Sequence, residues 1–211
     1  MSDIATFDTR TDSAIATESP LAFSLQHRPS PEATPASRVA MRERAFLGHL
    51  ILRGSAAVLG EAVKTVTGIE MLPTPQGLAL DANGERSLQW LSPDEWLLIV
   101  PDGETFELET RLREELGSAH FAITDVSGGQ TLLELDGDAA RELLMKSVIY
   151  DVNPEHFPVG KGVTTVFAKA TVILRRPSEH RWELVVRRSF ADYIYRWLLD
   201  AGDEYAIGVV K

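Results

Sequence analysis

The sequence repeats itself, and that repetition limits the fold more than any other feature. Gly54-Ser55-Ala56-Ala57 follows the hydrophobic run 47–52, and Gly137-Asp138-Ala139-Ala140 follows the run 131–135. Further on, Glu95-Trp96 opens an apolar run ahead of a helical pattern, and Arg181-Trp182 opens another at nearly the same interval. Two copies of one strand–helix–strand–strand–helix unit account for both coincidences. A unit of that kind buries one face of its strands under its helices, so two copies predict an α+β domain of two βαββα-type halves, about 46–120 and 121–211, related by a pseudo-twofold axis. Such symmetry leaves a groove between the halves.

The local patterns fill in the units. Ala56, Ala57, Leu59, Val63 and Val66 make a helical stripe that Gly68 closes. The segment 72–80 is interrupted by Pro73, Pro75 and Gly77 and reads as a turn into an edge strand. Ser92-Pro93-Asp94-Glu95 has a capping residue, a proline and two acids in sequence, and is expected to form one helical turn ahead of the strand 96–100. Leu108, Leu112 and Leu116 mark a helix with a charged outer face. Near the C-terminal end, Ser189 and Asp192 stand at capping-box spacing, and Phe190, Tyr193, Ile194, Trp197 and Leu198 read as a core-facing stripe.

Residues 1–45 differ in kind. Ser, Thr and Ala dominate, and Pro20, Pro29, Pro31 and Pro35 block helix and central strand alike. Such a segment does not order on its own, so it is expected to be an extended polar tail docked on a partner.

Composition removes several kinds of chemistry. With 21 Lys and Arg against 31 Asp and Glu, the net charge of -10 is wrong for nucleic acid or an anionic membrane. The absence of cysteine excludes disulfides, thiolate metal sites and cysteine nucleophiles. No run approaches a membrane span and no signal peptide opens the chain, so it is expected in the cytoplasm. The five histidines, His27, His49, His120, His156 and His180, show no ligand spacing. His49 is expected to be half-buried or surface-facing, and His156 a solvated side chain in a turn-rich connector.

Two features remain as candidates. Gly128-Gly129, in Asp125-Val126-Ser127-Gly128-Gly129-Gln130, could expose backbone amides to an anion, although no lysine follows as in a P-loop and a bend between two strands explains it as well. Arg175-Arg176 and Arg187-Arg188 are basic pairs on an acidic chain. They read either as an anion site or as salt-bridge partners flanking strands, including across a subunit interface. All six residues are therefore candidate interface residues; the motifs supply no catalytic, cofactor-binding or metal-ligating residue.

Four stretches together resemble the gamma subunits of heterotetrameric sarcosine oxidase: Trp90-Leu91-Ser92-Pro93-Asp94-Glu95-Trp96-Leu97-Leu98, Thr124-Asp125-Val126-Ser127, Phe157-Pro158-Val159-Gly160 and Arg187-Arg188-Ser189-Phe190-Ala191-Asp192-Tyr193. The chain departs from that family where Lys146-Ser147-Val148-Ile149-Tyr150-Asp151 replaces a Lys-Gly-Cys-Pro-Leu-Asp type segment, and where a second cysteine is missing near Val163. The resemblance implies a fold related to the folate-binding domain of aminomethyltransferases. It also implies a non-catalytic structural role beside alpha, beta and delta subunits, with alpha as the main contact. The complex would oxidatively demethylate sarcosine to glycine, with FAD, FMN, NAD, zinc and tetrahydrofolate held by the other subunits and none by this chain. The alternative is a stand-alone folate-binding one-carbon protein that uses the groove between its halves.

Overall fold

The computed structural model describes residues 17–70 and 75–210. Helix α1 (Ala22–His27) and strand β1 (Val39–Arg44) precede the first repeat. That repeat runs β2 (Gly48–Arg53), α2 (Ala56–Thr67), β3 (Leu78–Leu80), β4 (Ser87–Ser92), β5 (Glu95–Val100), α3 (Thr105–Leu116) and β6 (Ala122–Asp125). The second runs β7 (Gln130–Asp136), α4 (Ala140–Met145), β8 (Lys161–Phe167), β9 (Ala170–Arg176), β10 (Arg181–Arg187), α5 (Ala191–Gly202) and β11 (Ile207–Val210). The two series match element for element, each with two further strands beyond the unit expected from sequence.

The sheets show the same correspondence. The first has the order β3-β4-β5-β2-β6 and the second the order β8-β9-β10-β7-β1-β11. The repeated glycines owe their place to one shared contact. Gly54 N–H donates to the carbonyl of Asp94 at 3.0 Å, and Gly137 N–H donates to that of His180 at 3.2 Å, in each case the residue just ahead of the strand whose second residue is tryptophan. Both glycines hold positive φ, 154° and 143°. At Gly137 a side chain is also excluded by space, because a Cβ would lie 2.1 Å from the carbonyl oxygen of Arg38.

Hydrophobic alternation sorts the side chains into four layers. Leu50, Leu52, Trp96, Leu98 and Val100 face Leu59 and Val63 of α2 and Leu108 and Leu112 of α3. Leu133, Leu135, Trp182 and Leu184 face Leu143 and Leu144 of α4 and Ile194 and Leu198 of α5. The opposite faces of the sheets meet through Leu97, Ile99, Leu132 and Val185, with Leu47, Ile51, Leu91 and Ile173 at the margin. Helices therefore cover the outside and the sheets pack face to face. Each fully buried aliphatic side chain in that seam contributes roughly 2 kcal/mol of transfer free energy.

Three expectations need correction. The segment 1–45 is not an extended tail throughout. Strand β1 sits inside the second sheet, antiparallel to β7 and parallel to β11, because Val39 and Met41 alternate into the core. Leu21 is buried in the same core, and Ser24 and Arg28 reach Asp192 on α5. Pro31 and Ala33 exchange backbone hydrogen bonds with Val209, which covers the outer edge of β11. The described part of this segment thus lies on the chain's own second half, while residues 1–16 lie outside the described residues.

The second correction concerns Pro93-Asp94, which form a two-residue hairpin between β4 and β5, with Ser92 opposite Glu95. Pairing of two apolar strands outweighs the helix-start signals. The third concerns α5. No side chain caps it, and although Ile194 and Leu198 are buried, Phe190 is 40% and Trp197 38% exposed. The stripe is too wide for the sheet to cover, so one flank faces outward. Among the described residues no helix is long and apolar enough to cross a membrane.

Candidate functional site

The symmetry predicts a groove between the halves, and its walls are the inward faces of the two sheets. On β2, Leu50 and Leu52 point to the helices, so the alternate residues His49 and Ile51 point to the seam. On β4 the register with β5 places Ser87 and Gln89 there too, opposite Ile99 and Leu97. The second sheet contributes Arg175 from β9 and Glu183 from β10, which are register partners.

Side chains occupy this space and bond to one another across it. Arg175 is 1% exposed. Its Nε donates to Glu183 at 2.9 Å, its Nη2 binds the same carboxylate, and its Nη1 donates to Ser87 Oγ of the other sheet at 3.0 Å. Gln89 Nε2 crosses to the carbonyl of Gly162 at 3.1 Å, where a Cβ would meet its Oε1 at 1.9 Å. Two backbone bonds tie the same end, from Leu78 N–H to Gly160 O at 2.8 Å and from Gly162 N–H to Gln76 O at 2.9 Å. Apolar contact fills the middle, and polar contact fixes the register at the end.

His49 lies in this layer, 1% exposed, with neither ring nitrogen hydrogen-bonded among the described residues. Burial, and then the positive charge of Arg175, lower its pKa to about 4 against the opposing pull of Asp125, so the imidazole is neutral at pH 7. This corrects the expectation of a half-buried or surface residue: the strand is covered on both faces, and position in a strand alone does not reveal which. Enclosed in this way, the ring does not reach an external substrate.

The loop that carries Gly128-Gly129 is built around the backbone of His49. Val126 N–H donates to His49 O at 2.9 Å, His49 N–H donates to Ser127 Oγ at 2.9 Å, and Ser127 N–H and Oγ–H both donate to Asp125 Oδ1. Ser127–Gly129 form one turn of 3-10 helix that carries the chain from β6 in the first sheet to β7 in the second. The bend between strands is therefore real, and it joins the two halves. Neither glycine has an atom within 4 Å of an added Cβ, so close approach does not require glycine here.

The six candidates separate. Arg187 stands opposite Gln130 in register, beside Gly129, so Arg187, Gly128 and Gly129 come together at an exposed end of the seam. Arg187 has no ion-pair partner among the described residues, whereas the neighbouring Arg188 donates to the carbonyl of Glu18 at 3.4 Å. Arg175 and Arg176, the other candidate interface residues, are buried within the chain. Arg176 donates to the carbonyls of Phe157 at 2.7 Å and Glu179 at 3.2 Å and lies over the ring of Trp182. Alternation in β9 sends the two arginines to opposite faces of a sheet covered on both sides. Sequence reasoning also missed that His156 has a partner: its Nδ1 lies 2.5 Å from Asp151 Oδ2, and the Asn153 N–H and this imidazole hold the Asp151 carboxyl below its usual pKa. Among the described residues no group of three or more His, Asp or Glu side chains could hold a metal ion.

Known proteins agree with this architecture. The sarcosine oxidase gamma subunit of Corynebacterium sp. strain U-96 is 33% identical over 204 residues, covering 96% of this chain and 98% of that one. That of Corynebacterium sp. strain P-1 is 35% identical over 180 residues, covering 83% and 85%. Among solved structures, heterotetrameric sarcosine oxidase from Corynebacterium sp. U-96 in complex with pyrrole 2-carboxylate contains a chain with a TM-score of 0.78 and 31% identity, covering 92% of this chain and 99% of that one. The glycine cleavage system aminomethyltransferase T from Bartonella henselae gives a TM-score of 0.66 at 13% identity, covering 90% of this chain and 58% of that one, and so shares the fold. That is the fold the sequence resemblance implied. Residues 53–204 match the sarcosine oxidase, gamma subunit family, and the chain belongs to that family.

Proposed function

We propose that this chain is a non-catalytic, structural subunit of a cytoplasmic heterotetrameric sarcosine oxidase. The observation that carries the reading is the filled seam. A cofactor- or substrate-sized site is a cleft of about 300 Å³ or more lined by a few convergent polar groups. Here Leu97, Ile99, Leu132 and Val185 pack against one another, Arg175 binds Glu183 of its own sheet and Ser87 of the other, and Gln89 crosses to the carbonyl of Gly162. These residues do not fit a folate or a flavin, which argues against the stand-alone folate-binding alternative. In this reading FAD, FMN, NAD, zinc and tetrahydrofolate belong to the alpha, beta and delta subunits, with alpha as the principal contact. Those subunits carry out the oxidative demethylation of sarcosine to glycine, with hydrogen peroxide and formaldehyde or 5,10-methylenetetrahydrofolate as the other products. What this chain supplies is a rigid body whose two halves are locked together.

Co-expression of the alpha, beta and delta subunits with and without this chain tests the proposal. Its omission is expected to lower the melting temperature and the yield of the complex, with activity lost in step. A three-subunit complex of unchanged stability and activity would overturn it.

A further inference from the structure

Apolar side chains exposed on a freely moving loop need no explanation, but on a pinned segment they do. The residues that end α4 and follow it are pinned. Lys146 Nζ donates to Ala201 O at 2.7 Å, at the C-terminal end of α5, and binds Glu204. Trp197 Nε1 donates to Ser147 Oγ at 2.9 Å, Ala168 N–H donates to Ser147 O at 2.8 Å, and Val148 bridges Phe167 of β8. Yet Met145 is 63% and Ile149 82% exposed, two residues to either side of the Ser147 that bonds the partly exposed Trp197. Tyr193 packs on Trp197 with ring centroids 5.9 Å apart, and a surface hollow of about 510 Å³ opens along this flank of α5. A segment held this firmly loses little backbone freedom when covered, which favours binding.

Charge indicates what covers them. The flank is bordered by Asp192, Asp200, Asp203 and Glu204. Arg28 and Arg196 pair with Asp192, and Lys146 pairs with Glu204, whereas Asp200 and Asp203 have no ion pair among the described residues. A second copy of this chain would bring the same border, with four carboxylates against the three cations Arg28, Arg196 and Lys146, on a body of net charge -10.

We propose that Met145, Ile149 and Trp197 are the apolar centre of the seat on which another subunit of the heterotetramer docks, and that this subunit brings an apolar pocket ringed by basic side chains. The inference deepens the subunit reading above and rests on it. Centrally placed tryptophan with surrounding aliphatic residues is the usual composition of an interface centre.

The test is co-expression of all four subunits with a tagged alpha subunit and quantification of this chain in the purified complex. Ile149→Asp alters a side chain that stands in solvent in the isolated chain, and Phe46→Asp serves as an exposed control elsewhere. The Ile149→Asp variant is expected to reduce co-purified chain roughly tenfold or more, with Trp197→Glu doing the same and Phe46→Asp leaving it unchanged. Asp200→Lys is expected to weaken assembly at low salt and not at high salt. Wild-type levels of the Ile149→Asp chain in the complex would overturn the proposal, as would equal loss of Ile149→Asp and Phe46→Asp. If the wild-type chain itself never co-purified, the subunit reading would fall instead.

Discussion

The two halves share one element order and reach stability by different means. The first half holds its five strands under two twelve-residue helices, α2 and α3, and α2 is capped by Ser55, whose side chain accepts from Val58 N–H. The second half has only the six-residue α4 in the place of α2, and Ala139 ahead of it provides no side-chain cap. It compensates by recruitment: β1 enters between β7 and β11, and Leu21 joins the core. Where the first sheet pairs β2 directly with β6, the second has β1 interposed. One repeat is self-sufficient, and the other is completed by residues from outside it.

That contrast can be broken at the contact that joins the halves. Glu183→Ala leaves Arg175 charged and buried without a counter-ion, and is expected to destabilise the chain by about 4 kcal/mol in urea unfolding. The double variant Arg175→Met, Glu183→Leu should regain most of that loss, since it removes both charges. If the single and double variants were equally unstable, the ion pair would not be what fixes the seam.

The glycines sharpen the comparison further. Gly137→Ala forces a Cβ against Arg38 O, in the backbone leading into β1, and is expected to cost about 3 kcal/mol. Gly54→Ala meets Leu59 Cγ at 3.2 Å and should cost about 1 kcal/mol, because a side chain can shift where backbone cannot. Equal losses would mean that β1 is not wedged as described.

His49 gives the seam a pH dependence. Its folded pKa of about 4 lies below the ordinary histidine value of 6.5, so the unfolded chain binds more protons between those values. Its contribution is complete above about pH 6.5 and is lost as the pH falls toward 4, which amounts to about 2 kcal/mol between pH 7 and 5. In His49→Leu this part of the acid limb should flatten. An effect as small as that of Gly54→Ala is expected at the helix start: Ser55→Ala should cost about 1 kcal/mol, whereas a change at Ala139, which makes no cap, has no such bond to lose.

How much of this could be read from the sequence depended on whether local spacing or distant context decided the outcome. The repeat, α2, α3, the strands from Gly48 and Glu95, and the edge position of β3 follow from periodicity and glycine placement. The fate of Arg175 and His49 does not, because alternation assigns a side chain to one of two faces, and only the assembled sandwich shows that both are covered. Strand β1 was masked by the prolines ahead of it; Val39-Ala40-Met41 is too short a signal to stand against that composition. For α5, five apolar positions are more than one helix face can bury, and sequence alone does not say which of them remain outside.

The placement of β1 also has a consequence in time. A ribosome makes Val39–Arg44 before any of the strands that will flank it, since Met41 pairs with Leu135 and Val39 with Ile207. The first half can close its own sheet as it emerges, with β1 left as an unpaired, alternately apolar strand until β7 arrives and then β11. Such a strand is open to wrong pairing for as long as it waits. Residues 31–33 later shield the edge of β11, but nothing equivalent protects β1 before then, so chaperone demand and sensitivity to slow translation should concentrate in this interval of synthesis.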